Sequence, residues 1–242
     1  MTTVSVERGE VVLEAADVSV GYGAIPVVTG LDLQVEAGQI VALLGPNGAG
    51  KTTALQGLAG ALPVQSGEVR YRGERVDSPL HRRARNGFGL IADSRGIFKQ
   101  LTAAENLRVA SVQSESVLDL FPELEDRLGT KAGLLSGGEQ QMLAVGRALC
   151  RDVRLLVIDE LSLGLAPMVV DRLLEVLRRR AAAGVGVLVV EQHVHKLLGV
   201  ADQVYVLQRG RVVTSGRADD VRSRLEEVEA AYFADAATPG QA

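Results

Sequence analysis

The run Gly45-Pro46-Asn47-Gly48-Ala49-Gly50-Lys51-Thr52-Thr53 holds the residue types that bind phosphate. It fits GxxxxGK[ST] in full, with an apolar stretch from Gln39 to Leu44 before it and a helix-forming stretch from Ala54 to Ala61 after it. Glycines let successive backbone N–H groups converge on phosphate oxygens with no Cβ in the way. The helix that follows presents unpaired amides and the positive end of its dipole to the anion. Lys51 adds a point charge for the β- and γ-phosphates, and the Thr52 hydroxyl is a hard oxygen ligand suited to Mg2+. A bare glycine-rich turn would require neither the lysine nor the hydroxyl nor this pair of flanks.

Such a loop serves kinases, GTPases and several kinds of ATPase, so a second cluster must decide among them. Leu135-Ser136-Gly137-Gly138-Glu139-Gln140-Gln141 stands at the start of a predicted helix, where the amides of Ser136, Gly137 and Gly138 form another anion site. Asp159 ends the apolar run Leu155-Leu156-Val157-Ile158 and is followed by Glu160. Carboxylates beside a buried run are costly without a cation. On these residues the sequence strongly resembles the ATP-binding cassette family, from Tyr22 to the closing hairpin.

The resemblance implies an α/β cassette with a mostly parallel core sheet, an antiparallel β subdomain and a helical insertion. It implies ATP hydrolysis, with ATP and Mg2+ bound between two head-to-tail cassettes. One protomer would grip the nucleotide through Gly45 to Thr53, and the other would close on it with Ser136, Gly137, Gly138 and Glu139. Thr52, Asp159 and Asp93 would support the metal, and Glu160 would polarise the attacking water as general base. Tyr22 matches the aromatic that stacks on adenine in the family, although a tyrosine in a Gly-x-Gly turn also suits packing on a neighbouring strand.

Three positions depart from the usual family pattern. Asp93 stands where Gln or Glu is usual, and Leu161 replaces the proline after the general base, which removes a φ restraint from Ser162 to Ala166. The switch histidine aligns with Gln192, which can donate an uncharged amide hydrogen to phosphate; His193 is one residue off. Weak or partner-dependent hydrolysis fits these changes. The segments Ser94-Arg95-Gly96-Ile97-Phe98, Leu161 to Pro167 and Val190-Glu191-Gln192-His193 are similar to the ATPase subunit of branched-chain amino acid importers. That likeness implies a second cassette as partner, membrane permeases docked near Asp93 to Leu107, an external binding protein reached through them, and residence on the cytoplasmic face of the membrane. Amide or urea-like cargo, and a weakly catalytic nucleotide-responsive binding module, are the alternatives.

The elements that must position these residues fit a single domain of 242 residues, 47% of them hydrophobic. A core of about 1–93 and 152–217 would carry a helical insertion of about 94–151, with a helix and tail over 218–242. Val11 to Val20 and Val28 to Val35 read as antiparallel strands around Gly21-Tyr22-Gly23, Glu68 to Val76 as a hairpin and Phe88 to Ala92 as a buried strand. Helices are expected over Ala103 to Ser111, Ser116 to Arg127, Gly138 to Cys150, Val169 to Ala183 and Ala218 to Ala234. Leu155 to Ile158 and Val185 to Val190 read as parallel core strands, Arg209-Gly210 as a hairpin turn, and Ala236 to Ala242 as disordered. A net charge of −4 supplies no basic field for nucleic acid, and Cys150 as the lone cysteine excludes an internal disulfide. No apolar run is long enough to span a membrane, and the start lacks an export signal.

Overall fold

A computed structural model of the chain describes residues 9–76, 80–92, 94–192 and 194–223. The expectations placed on Asp93 and His193, on most of the helix after 218 and on the tail lie outside them.

In chain order the elements are β1 (Val11–Tyr22), β2 (Ile25–Glu36), β3 (Ile40–Leu44), α1 (Lys51–Ala59), β4 (Val64–Tyr71), β5 (Glu74–Arg75), α2 (Leu80–Arg85), β6 (Phe88–Ile91), α3 (Ala103–Val109) and α4 (Ser114–Leu118). They continue with α5 (Gly137–Leu149), β7 (Leu155–Asp159), α6 (Pro167–Ala182), β8 (Gly186–Glu191), α7 (Val194–Leu198), β9 (Gln203–Gln208), β10 (Arg211–Arg217) and α8 (Ala218–Ser223). One sheet is antiparallel, in the order β2-β1-β4-β5; the other runs β10-β9-β3-β8-β7-β6 and is parallel except for β10 at its edge.

The parallel strands follow from their composition. β3, β7 and β8 are buried at every position, as unbroken apolar runs covered on both faces must be. Alternate side chains divide between two cores. Val41, Leu43, Val157, Leu188 and Val190 pack with α1 and the antiparallel sheet, whereas Ile40, Ala42, Leu156, Ile158, Val187 and Val189 pack with α5 and α6. Helix α1 is thereby sandwiched between the two sheets. It sits so close to β1 that a Cβ on Gly57 would lie 2.9 Å from Val20 Cγ2. Its last turn is closed by the buried Arg83, whose guanidinium donates to Leu58 O at 2.7 Å and meets the negative end of the helix dipole.

Several boundaries differ from those the sequence suggests. Helix α1 begins at Lys51 rather than Ala54, because Gly50 takes a left-handed conformation (φ 100°) and turns the chain straight into the helix. Tyr22 is the last residue of β1, paired with Ile25, and not part of a loop. The helix expected over Ser116 to Arg127 is two pieces, α4 and a 3-10 turn at Pro122–Arg127, since Pro122 lacks an N–H and cannot continue the preceding helix. Strand β8 runs one residue further than expected and ends on Glu191.

Candidate active site

Parallel strands lying side by side deliver their C-terminal ends to one edge of the sheet. Leu44 of β3 lies opposite Glu191 of β8, Val190 opposite Asp159 of β7, and Ile158 opposite Ile91 of β6. The glycine loop, Asp159-Glu160, Glu191-Gln192 and the segment after Ile91 therefore gather along one edge, where open α/β sheets place their ligands.

The loop is built by close backbone approach. A Cβ on Gly45 would fall 2.4 Å from Leu207 O, and one on Gly50 would fall 2.8 Å from Val28 Cγ2. The β9–β10 turn braces it from behind: Gly210 N donates to Ala49 O at 2.9 Å, while Gly210 O accepts from Thr29 N at 2.9 Å. Lys51 is buried, and its Nζ donates to Gly45 O at 2.7 Å and to Pro46 O at 3.0 Å. Burial lowers the pKa of this ammonium, and the charges of Glu160, Asp159 and Glu191 offset the lowering only in part. Three carboxylates and one ammonium thus share the edge. Thr52, in the first turn of α1, is exposed, so its hydroxyl stands free to meet a ligand.

Asp159 is 3% exposed at the end of β7. Glu160 is half-buried at φ 51°, a backbone conformation that side chains seldom adopt, and its N–H donates to Val190 O at 2.9 Å. Glu191 is a buried carboxylate that the sequence reading did not single out as a site residue. It accepts from Ser162 N at 2.5 Å and from Gln192 N at 3.1 Å. Its signal was present, an acidic residue ending an apolar run just as Asp159 does. Gln192 lies just past β8 with an exposed side chain.

Among the described residues no group of three or more His, Cys, Asp or Glu side chains forms a metal cage of its own. The donor set at this edge, one hydroxyl and a carboxylate beside a phosphate loop, instead suits Mg2+, which is held through one or two carboxylates together with substrate phosphates. Thr52 and Asp159 would hold it; Asp93 lies outside the described residues.

The segment expected to form a second anion site stands at the start of α5. Ser136 Oγ accepts from Glu139 N at 3.2 Å and Glu139 Oε2 accepts from Ser136 N at 2.7 Å, a reciprocal cap. The Ser136 amide, expected to face an anion, is therefore taken, and the first-turn amides with no bond among the described residues are those of Gly137 and Gly138. Arg127 Nε donates to Glu139 Oε1 at 2.8 Å. Burial pushes the Glu139 pKa up, but Arg127 and the Ser136 hydrogen bonds outweigh it and hold the carboxyl below its usual range. Arg95, also unanticipated, donates to Gln141 Oε1 at 2.8 Å and Gln140 Oε1 at 3.0 Å, tying the segment after Asp93 to this helix. Tyr22 is 56% exposed, with its hydroxyl 3.5 Å from Gln56 Oε1 on α1.

A cleft of about 260 Å3 lies between α2, β6 and α5. Phe88, Ile91 and Ala148 line it together with Arg85, Arg147 and Arg151. Burial lowers the Arg147 pKa and the charge of Arg151 adds to the effect, so two cations share a partly dry wall. Among the described residues no helix is long and apolar enough to cross a membrane.

Residues 28–162 match the protein family described as ABC transporter. The high-affinity branched-chain amino acid transport ATP-binding protein BraG of Pseudomonas aeruginosa is 42% identical over 206 residues, 81% of this chain and 88% of the relative. The lipopolysaccharide export system ATP-binding protein LptB of Acidithiobacillus ferridurans is 32% identical over 220 residues, 86% of this chain and 91% of the relative. A solved structure described as the ATP binding subunit of an ABC transporter superposes with a TM-score of 0.80 at 29% identity, covering 92% of this chain and 99% of that one.

Proposed function

The chain belongs to the ABC transporter family as one of its ATPases, and from that premise we propose that it powers an importer of branched-chain or other hydrophobic amino acids. The observation that carries the catalytic reading is the meeting, at one sheet edge, of the phosphate loop, the buried Asp159 and a Glu160 held at positive φ. The importer reading rests on the likeness to BraG, which exceeds that to LptB in identity.

In this proposal the loop Gly45 to Thr53 binds the phosphates through backbone N–H groups, which Pro46 lacks, and through the Lys51 ammonium, and Tyr22 flanks the adenine. Glu160 accepts the proton of the attacking water as its oxygen bonds to the γ-phosphorus and the bond to ADP breaks. Thr52 and Asp159 would hold Mg2+, which when bound would supply positive charge beside the phosphates. Gln192 donates an amide hydrogen to the γ-phosphate, and Asp93 joins the metal site. The amides of Gly137 and Gly138 from a second cassette complete each site, so nucleotide holds the dimer together and its hydrolysis releases it. Ser136 and Glu139 fix the direction of those amides through their cap.

The helical segment 94–151 carries this second site in the proposed division of the chain. The permeases are proposed to dock on the helical segment near Asp93 to Leu107, which would place the ATPase on the cytoplasmic face of the membrane and couple it indirectly to an external binding protein. The likeness to LptB favours one rival, an ATPase of lipid export. Phosphate release from Mg-ATP, with and without the permeases, tests the catalytic half: Glu160→Gln is expected to bind ATP and lose turnover, and hydrolysis by that variant at the parental rate removes Glu160 from its role. Uptake of labelled leucine by cells carrying and lacking the gene tests the cargo, and unchanged uptake refutes it.

A further inference from the structure

The segment after Glu160 lacks the proline that would stiffen it, yet Glu160 itself sits in a sparsely populated backbone conformation. Such a conformation persists only where its surroundings over-determine it. Two tethers bracket the residue. On its own nitrogen, the N–H donates to Val190 O at 2.9 Å, a main-chain bond between the ends of β7 and β8. Two residues later, the Ser162 N–H donates to Glu191 Oε1 at 2.5 Å. Between them Leu161 is 1% exposed in the core, so the chain is held at three successive positions.

The same Glu191 carboxylate has a second duty. Its other oxygen accepts from Gln192 N at 3.1 Å. One buried side chain therefore joins the loop leaving Glu160 to the residue proposed to touch the γ-phosphate. A carboxylate suits this place because it is acceptor-only and can offer one oxygen to each of two amides, and hydrogen bonds to an ionised acceptor are the stronger kind. A glutamine of the same shape has one carbonyl oxygen and presents an NH2 group where the second N–H must be received.

We propose that Glu191 is a positioning residue for hydrolysis, whose carboxylate clamps the Ser162 and Gln192 amides and so fixes Glu160 and Gln192 relative to each other. The clamp takes the place of the missing proline. This inference rests on the reading of Glu160 as the residue that accepts the proton, and the experiment separates the two.

The test compares the full chain with Glu191→Gln, Glu191→Asp and Glu160→Gln in steady-state hydrolysis, nucleotide binding and local mobility. Glu191→Gln is expected to lower kcat by about 10- to 100-fold, the scale of a displaced catalytic group, with nucleotide affinity unchanged. A nitroxide attached at Leu163→Cys, in a Cys150→Ser background, is expected to become more mobile in the nucleotide-free Glu191→Gln protein. Glu191→Asp keeps the charge but falls one methylene short of Ser162; it is expected to lose part of kcat and serves as the readout where the glutamine variant does not fold. Parental kcat in a folded Glu191 variant, a loss of affinity matching the loss of kcat, or an unchanged nitroxide spectrum overturns the clamp. Parental turnover by Glu160→Gln overturns the reading beneath it instead.

Discussion

The phosphate loop is shaped by a glycine far from it in sequence, and Gly210→Ala measures how much depends on that contact. Gly210 lies at φ 76° in the β9–β10 turn, and a Cβ there would stand 2.0 Å from Val27 O. The ordinary limit of C···O approach is about 3.3 Å. Both atoms belong to or are fixed by backbone, so no rotamer change relieves the overlap; the turn must withdraw from β2 by about an ångström. The left-handed conformation alone costs alanine about 1–2 kcal/mol. Withdrawal also strains or breaks the bonds Thr29 N to Gly210 O and Gly210 N to Ala49 O, worth about 1 kcal/mol each. The sum is about 3–4 kcal/mol, which for a chain of this size lowers Tm by about 6–16 °C. Gly73 provides the control, since it has φ 77° with nothing within 4 Å of its Cβ direction. Gly73→Ala should cost only the conformational part, about 1–2 kcal/mol. Urea unfolding followed by circular dichroism gives both values, and titration with a fluorescent ATP analogue reports the loop. Equal losses in the two variants, or a Gly210→Ala protein that binds nucleotide with parental affinity, would refute the claim that the turn braces the loop.

Two further outcomes follow from buried groups. Burial raises the Tyr71 phenol to about 12 while its hydroxyl donates to Asn86 O at 2.9 Å. The unfolded chain releases this proton near pH 10 and the folded chain does not, so the stability Tyr71 supplies is present below pH 10 and declines between pH 10 and 12. Tyr71→Phe should flatten that decline in urea titrations at pH 9 and 11, at a cost of about 1 kcal/mol at neutral pH; an undiminished alkaline decline contradicts the assignment. Burial also pushes the Cys150 thiol up, and its sulfur approaches Ser116 O at 3.2 Å. Alkylation of the native protein by iodoacetamide at pH 8.5 should therefore be much slower than that of the urea-unfolded chain, and equal rates would contradict it.

What the sequence discloses and conceals divides along physical lines. The parallel strands were legible because β3, β7 and β8 are short unbroken apolar runs, and the loop because its glycines, lysine and hydroxyl are contiguous. The start of α1 was misplaced because the left-handed turn at Gly50 lets the helix begin within the motif itself. The fate of the Ser136 amide was readable in Ser136-Gly137-Gly138-Glu139, whose spacing is that of a capping box, but counting helix-start amides alone overlooks the side chain that consumes one. Gly210 carried no local sign of its task. Its contacts, with Val27, Thr29 and Ala49, span more than 160 positions and arise only when the sheets stack. Glu191 lay between the two kinds: its position ending an apolar run was visible, whereas the pair of amides it receives depended on how β7 and β8 pair.

The central claim is that two chains enclose nucleotide between one phosphate loop and the other's Gly137-Gly138 amides. Light scattering of the Glu160→Gln protein, saturated with Mg-ATP and then with Mg-ADP, addresses it most directly. The account predicts a particle of twice the chain mass with ATP that reverts to single chains with ADP. Single chains under both nucleotides, with the permeases supplied as well, would contradict it.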